Sequence, residues 1–333
     1  MFIFGLRDGP SSVVPLVLLL MAVLFEAYVG EVRFLRTALR HPRDLIAGLA
    51  GVLERKLNRE RRSETDRAIR GAFSAFFMLG LSLGVGWSVS WLSRNHDFGW
   101  IVEAVLLVIF LDQRAGYDKV RTVARKLETE SEDQAALALK NLDGGLIPKD
   151  GHGIARAAME AAARGLNTGA VAPVFWYLLF GFPGFFALTC MDVLNRTIGH
   201  KTPRYRAFGF TSARLNDALL YIPARLSGLF IVLAALFVPT ANPAAGLRTM
   251  LRDAGKDRTL NGGWPVAAMA GSLGLALAGP RPMAGKTLDL PWIGDGEARA
   301  TALDIRRALY LFAVACLINA MWVAAIAVIR LTL

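Results

Sequence analysis

Cysteine is nearly absent. Cys190 and Cys316 are the only two in 333 residues, and both lie inside apolar blocks, so neither a disulfide framework nor a cysteine zinc site can be drawn from them. The four histidines, His41, His96, His152 and His200, are scattered and form no H-E-x-x-H or H-x-x-E-H pattern. Glycine-rich pieces at Asp143-Gly144-Gly145 and Asn261-Gly262-Gly263 lack the lysine–hydroxyl pair of a phosphate-binding loop. No run alternates apolar and polar residues long enough to specify a strand. There is no DNA- or RNA-binding motif, so nucleic acid is not expected as a partner. The net charge of +11 needs another explanation.

Charge is also missing over long distances. No charged side chain occurs from Gly71 to Ser93, enough for a helix to cross a bilayer. Ala308 to Ile329 is equally clean, with Asn319 its only strongly polar residue. Val13 to Phe25 is a third block, and Gly99 to Leu111 a fourth, interrupted by Glu103. A cleaved signal peptide does not suit the first block. Arg7 sits beside Asp8, and no small-x-small site follows before Glu26. The pattern predicts one all-α polytopic membrane domain over 1–333, with spans near 13–30, 71–93, 99–113 and 308–331.

Two further blocks are less simple. Ala170 to Met191 is long enough to span, but Phe182-Pro183-Gly184 sits inside it, which predicts two half-helices forming a re-entrant hairpin. Leu226 to Val238 is apolar but short, and Pro239 and Pro243 close it. The blocks 170–191 and 226–239 are therefore left as uncertain or re-entrant.

Basic residues orient the spans. Between Glu31 and Arg70 there are eleven Lys/Arg against six Asp/Glu, which places that loop in the cytoplasm. The short link from Arg94 to Phe98 suits the outer face, and Asp112 to Thr168 returns inside. Lys201–Arg225 and Arg248–Arg258 are basic as well, and a re-entrant hairpin keeps them on the same side. The expected location is a bacterial cytoplasmic (inner) membrane, multi-pass, with the positive charge meeting anionic lipid. The polar segments read as amphipathic cytoplasmic helices. Leu45, Leu49, Val52, Leu53 and Leu57 fall on one face of Leu45–Leu57, opposite Glu54, Arg55 and Lys56. Val120–Leu127, Ala135–Leu142 and Ile154–Leu166 continue in that style. Glu26 and Glu103 stand out as intramembrane carboxylates, because burying one in lipid is costly without a purpose.

Ordered blocks then run through nearly the whole chain. They are Glu26, His41-Pro42, LIAGLAGVLERKLNR from Leu45, Arg70-Gly71-Ala72, and GIARAAMEAAARG from Gly153 with Arg156 and Glu160. Ala172-Pro173, Phe175-Trp176, Pro183-Gly184, Tyr205, Phe208-Gly209, Ala213-Arg214-Leu215, Asp217 and Ile222-Pro223-Ala224-Arg225 follow. NGGWPVAAMAGSLGL from Asn261 and Asp304-Ile305 complete the series. In this order they resemble the CobD/CbiB family of membrane proteins, which make an amide bond late in cobalamin biosynthesis. The resemblance implies an adenosylcobinamide-phosphate synthase, joining an aminopropanol phosphate to adenosylcobyric acid with ATP and Mg2+. A corrinoid or nucleotide is then the ligand, and other cobalamin-biosynthesis enzymes are the protein partners.

The family pattern is not complete. Gly144-Gly145-Leu146 stand where it has Arg-Asp-Thr, and Arg164-Gly165 with Thr168-Gly169 where it has Glu-Asn and Asp-Gly. Asp192-Val193-Leu194-Asn195-Arg196 replace Asn-Thr-Leu-Asp-Ser, and Asn216-Asp217 replace paired aspartates. Carboxylates that could hold magnesium have thus been lost or moved. Two alternatives to the working enzyme follow, a catalytically degenerate signalling relative and an assembly subunit for corrinoid enzymes. Carried over by position, Glu160 and Asp217 are the candidate catalytic residues and metal ligands. Arg156, Arg214, Arg225, Tyr205 and Trp264 are the candidate ligand-binding residues. Arg214 and Asp217 share a helix face by their spacing, and the arginine forks match phosphate or carboxylate oxygens. The same arginines also suit headgroup anchoring.

Overall fold

A computed structural model describes residues 14–30, 42–143, 148, 150–283 and 286–332. His41 and Gly144-Gly145-Leu146 lie outside the described residues. The described chain is helical apart from two short ribbons, and it forms two compact units. One comprises Met1–Leu111, Ala172–Leu220 and Val323–Leu333, and the other Asp112–Val171 and Tyr221–Trp322.

The first unit is built on α3, Glu64–Asn95. Ser63 caps it by accepting a hydrogen bond from the Asp66 amide at 3.2 Å, with Glu64 and Asp66 in the positive first turn. Preceding it, α1 is Pro15–Val29 and α2 is Pro42–Leu57; following it, α4 is Gly99–Phe110. Packed along α3 is α9, Phe182–Ile198, which runs antiparallel to it. Pro183 lies at Gly86, Met191 and Leu194 lie with Ala75 and Met78, and Ile198 belongs to the same core. A Cβ on Gly86 would come within 2.7 Å of the Pro183 Cα, so only glycine admits this approach.

The uncharged block 170–191 is two helices. α8 spans Ala172–Phe180, and the chain turns at Gly181, whose φ of 66° and ψ of −155° exclude a side chain. A Cβ on Gly184 would lie 2.6 Å from the Trp176 carbonyl, so α9 doubles back against α8. The turn thus falls one residue before the Phe182-Pro183-Gly184 triplet. Pro183 sits in the first turn of α9, where its missing N–H costs nothing.

Helix lengths sort the apolar blocks. Among the described residues, three helical stretches are long and apolar enough to cross a membrane by length and composition, Glu64–Asn95, Phe210–Phe237 and Ala302–Arg330. Of the second, only Leu226 to Val238 was expected, as a short block closed by Pro239 and Pro243. It is instead the helix α10, Phe210–Ala234, extended by a 3-10 turn to Phe237. By contrast α4 has 12 residues, and α1 has 15, less than a full crossing by length alone. Pro223 inside α10 leaves the Leu219 carbonyl without its helical donor. The Trp176 indole N–H fills that vacancy at 2.9 Å.

Helix α2 turns inward a face that overlaps the expected one, with Leu49, Leu53 and Leu57 packed as the pattern suggested and Val52 exposed. Ala50 is fully buried, with Ile46, Leu49, Leu53 and Leu57 packed around it, while Leu45 is exposed. Glu54, assigned to the solvent face, is buried because Arg204 and Asn58 reach it at 3.0 and 3.2 Å. A carboxylate with two such donors is tolerated on a packed face.

In the second unit, α5 (Gln113–Thr129), α6 (Glu132–Asp143) and α7 (Gly151–Leu166) pack on one another. Asp150 caps α7 through the Gly153 amide at 2.8 Å. A π turn, Asn167–Val171, follows α7. α11 (Pro243–Asp253) and α12 (Gly263–Leu273) pack tightly on each other. A Cβ on Gly246 or Gly271 would meet Ser272 Oγ at 2.2 Å or Thr249 at 2.5 Å. β1 (Leu277–Ala278) pairs antiparallel with β4 (Trp292–Ile293), and β2 (Arg281–Met283) with β3 (Lys286–Leu288). The chain ends in α13, Ala302–Thr332.

Candidate functional site

Among the described residues, a dense polar constellation lies in the second unit, where α7 meets the segment 253–264. Its alanine-rich sequence lets α7 pack on most sides, with Ile154, Ala155, Ala158 and Met159 in the core. Glu160 and Arg164, one turn apart, are brought by that packing to the loop after α11. The Glu160 carboxylate is buried, accepting from the Ala278 amide at 3.0 Å and facing Arg164 at 3.3 Å. Arg164 also donates to Asp257 at 2.7 Å. It is therefore held between two carboxylates, and its charge is fixed in place.

Asp257 organises the loop that follows. Its Oδ1 accepts from the Thr259 amide and hydroxyl, both at 2.8 Å, and the Thr259 oxygen accepts from the Gly262 amide at 3.0 Å. Gly262 lets this turn approach Arg164, since its Cβ would lie 3.0 Å from the guanidinium Nε. Burial pushes the Asp257 carboxyl up, but Arg164 and the Thr259 hydrogen bonds outweigh it, and the net shift is downward. Two residues beyond Gly262, the Trp264 ring lies 4.4 Å beneath the Arg225 guanidinium, which also stacks on Tyr221 at 3.4 Å. Arg164 and Arg225 thus border the same 262–264 turn, each pre-set by its neighbours.

A second carboxylate anchors the other side of the ribbon. Asp253 is fully buried and accepts from Arg252, from Lys256 at 2.8 Å and from the Gly294 amide at 2.9 Å. Arg252 holds its carboxyl well below the usual range, against the upward push of burial, with Lys256 and Gly294 adding to the effect. Glu160 grips Ala278 in β1 and Asp253 grips Gly294 just after β4, so the two acids hold both strands of the ribbon. Ala278 is a non-glycine residue at φ 59°, a strained conformation that the buried Glu160 bond maintains. Arg156 donates to the Ala298 carbonyl at 2.6 Å and stands 5.2 Å over the Trp292 ring.

The π turn places Thr168-Gly169 next to α5. The Asp112 amide donates to the Gly169 carbonyl at 3.1 Å, and a Cβ on Gly169 would strike Asp112. Within the same turn, the buried Asn167 accepts from Ser227 at 3.2 Å.

The remaining predicted residues belong to the first unit. Arg214 and Asp217 form the expected i,i+3 pair at 3.8 Å, with Arg214 over the Phe210 ring. Asn216 beside them is buried, and its Oδ1 has no hydrogen-bond partner among the described residues. Tyr205 packs edge-on to His200 and carries Arg204 over its ring. Glu103 is buried and accepts from Tyr177 at 2.6 Å, with Ser93 as a further partner. Glu26 is buried on α1. Gly71 and Phe208-Gly209, distant blocks of the resemblance, meet in one contact: a Cβ on Gly71 would overlap the Phe208 carbonyl.

A resident magnesium ion does not fit these side chains. Glu160, Asp253 and Asp257 already have arginine or lysine partners, and no group of three His, Cys, Asp or Glu suited to a metal occurs among the described residues. Sequence reasoning missed Asp253, Asp257, Tyr177 and Glu54. Asp257 had one available signal, its place four residues before the Asn261-Gly262-Gly263-Trp264 block.

Arg164 is thus held by two carboxylates at Gly262, and Arg225 lies over the Trp264 ring two residues on. Comparison with known proteins identifies the family. A protein called cobalamin biosynthesis protein CobD from Sinorhizobium sp is 38% identical over 319 residues, covering 94% of this chain and 98% of its own length. The protein of the same description from Brucella suis biovar 1 is 35% identical over 303 residues, covering 90% and 93%. That from Rhodobacter capsulatus is 34% identical over 299 residues, covering 89% and 92%. No solved structure matches. The model of the family described as CobD/Cbib protein matches residues 19–312, and the chain belongs to that family.

Proposed function

We propose that this chain is a working cobalamin-biosynthesis enzyme of the membrane, which forms the amide between adenosylcobyric acid and an aminopropanol phosphate. The observation that carries the reading is the Glu160–Arg164–Asp257 cluster beside Arg225 and Trp264. Arg164 stands where the family pattern has an acid, and its neighbours compensate: two carboxylates hold it rather than repel it. In this reading Arg164 and Arg225 bind phosphate or carboxylate oxygens of the substrates, and Trp264 offers its face to a flat ring system. Charge that develops on the activated carboxyl is stabilised by the same arginines, already oriented before substrate arrives. ATP is the co-substrate that activates the carboxyl. Magnesium enters with the phosphates of ATP, Glu160 positions Arg164, and Asp217 orients Arg214.

The topology belongs to the same proposal. The α8–α9 turn sits against Gly86, two turns short of Arg94 at the end of α3. That depth supports a re-entrant hairpin that returns to the side from which it came. The basic segments then share the cytoplasmic face of an inner membrane, within reach of soluble corrinoid enzymes.

Complementation tests the reaction. In a strain blocked at the amide-forming step, the wild-type chain should restore corrinoid synthesis. Arg225→Ala and Arg164→Ala should each lower turnover about 10- to 100-fold, the range for losing a charge-assisted contact. Failure of a membrane-inserted wild-type protein to rescue would leave a signalling or assembly role in its place.

A further inference from the structure

The first unit contains a groove of about 450 Å³, and none of its lining residues belongs to the cluster proposed for the reaction. It runs along one stripe of α3, from Leu79 and Leu83 past Trp87 to Arg94, and is closed on the other side by Trp176 and Phe180 of α8. From Leu79 to Arg94 is fifteen helical positions, about 22 Å. Its wall is apolar and aromatic over that length, and the single charge stands at one end.

Arg94 is the first charged side chain after the uncharged run 71–93, the place where an arginine reaches the headgroup layer. Its Nε donates to the Ser90 carbonyl at 3.0 Å, and among the described residues the terminal nitrogens have no hydrogen-bond or ion-pair partner. Glu103 feels its charge, but is engaged by Tyr177 and Ser93. The Trp176 ring, fixed by its bond to the Leu219 carbonyl and stacked on Phe180 at 5.6 Å, makes a rigid side to the groove.

We infer that this groove is a binding site for an anionic phospholipid, with one acyl chain laid along Leu79, Leu83 and Trp87 and the phosphate on Arg94. The charge sits at headgroup level, the apolar trough extends from it into the hydrocarbon, and the free guanidinium nitrogens complement a phosphate. A soluble phosphate ligand would leave the trough unfilled.

Native mass spectrometry of protein extracted from nanodiscs holding equal phosphatidylglycerol and phosphatidylethanolamine tests the assignment. Wild type should retain phosphatidylglycerol about five-fold over phosphatidylethanolamine, the preference one arginine confers near an anionic lipid. Arg94→Gln should erase the preference and Arg94→Lys should keep most of it. Leu83→Trp, which fills the trough without touching Arg94, should lower retention of both lipids. It decides the matter if Arg94→Gln does not fold. Equal retention by wild type, an unchanged preference in Arg94→Gln, full retention in Leu83→Trp, or a protein dimer in place of lipid adducts would each overturn the assignment.

Discussion

At the scale of single residues, the chemistry of the site is decided by pairing. Arg164 looked hostile to a phosphate-and-magnesium site because it replaced an acid. With Glu160 at 3.3 Å and Asp257 at 2.7 Å it becomes a fixed cation instead. The consequence is measurable as pH dependence. The Asp257 carboxyl lies below its usual value in the folded protein, so protonation favours the unfolded chain, where a free aspartate titrates near about pH 4. Its stabilisation is complete above that pH and is lost as the pH falls toward the folded value. Thermal unfolding in detergent should therefore show wild type losing stability below about pH 4 more steeply than Asp257→Asn, which is less stable at neutral pH. Identical acid limbs for the two proteins would show that Asp257 does not supply this linkage.

Much of this was visible in the sequence, but not the partnerships. The Arg214–Asp217 pair followed from helical spacing alone, and the structure contains it. Glu160 was identified by position, and its contact with Arg164 is an i,i+4 pair within one helix, while its bond to Ala278 depends on a ribbon more than a hundred residues away. Two-residue strands such as β1 and β4 carry no periodic signal, so nothing local announced that ribbon. Glu54 shows the reverse difficulty: the 3.6-residue pattern assigns every carboxylate to solvent, and only Arg204 and Asn58 make its burial tolerable.

At the scale of elements, backbone devices place the helices. Composition predicted a break in the block 170–191 and chose the proline, yet proline is compatible with a helix start. The turn needed a residue free to adopt φ 66°, ψ −155°, and that is Gly181. Gly181→Ala should destabilise the protein by about 1–3 kcal/mol, whereas Pro183→Ala, which only restores an unused N–H, should change stability little. A difference in melting temperature between the two variants checks the assignment, and equal losses would move the pivot to Pro183. Hydropathy likewise underestimated Phe210–Phe237, because three charged side chains near the front half of the helix conceal its apolar length. Pro223 added to that impression. Its damage is repaired from another element, by the Trp176 indole on the Leu219 carbonyl.

At the scale of the whole molecule, the issue is which loops share a side of the membrane. Ser63 precedes α3 and Asn95 ends it, so the two positions lie at opposite ends of a 32-residue helix, long and apolar enough to cross. Ser93 is the less suitable outer probe, because it is buried and hydrogen-bonds Glu103. The exposed Asn95 takes its place. The native thiols of Cys190 and Cys316 are buried, which keeps the background low for an impermeant reagent. In right-side-out cells Asn95→Cys should label and Ser63→Cys should not, and inverted vesicles should reverse the result. A third probe, Lys201→Cys, lies beyond the α8–α9 hairpin in an exposed position. It should follow Ser63→Cys if the hairpin is re-entrant, and Asn95→Cys if the chain crosses there. The second outcome would divide the basic segments between two compartments and remove the common cytoplasmic face on which the proposed reaction depends.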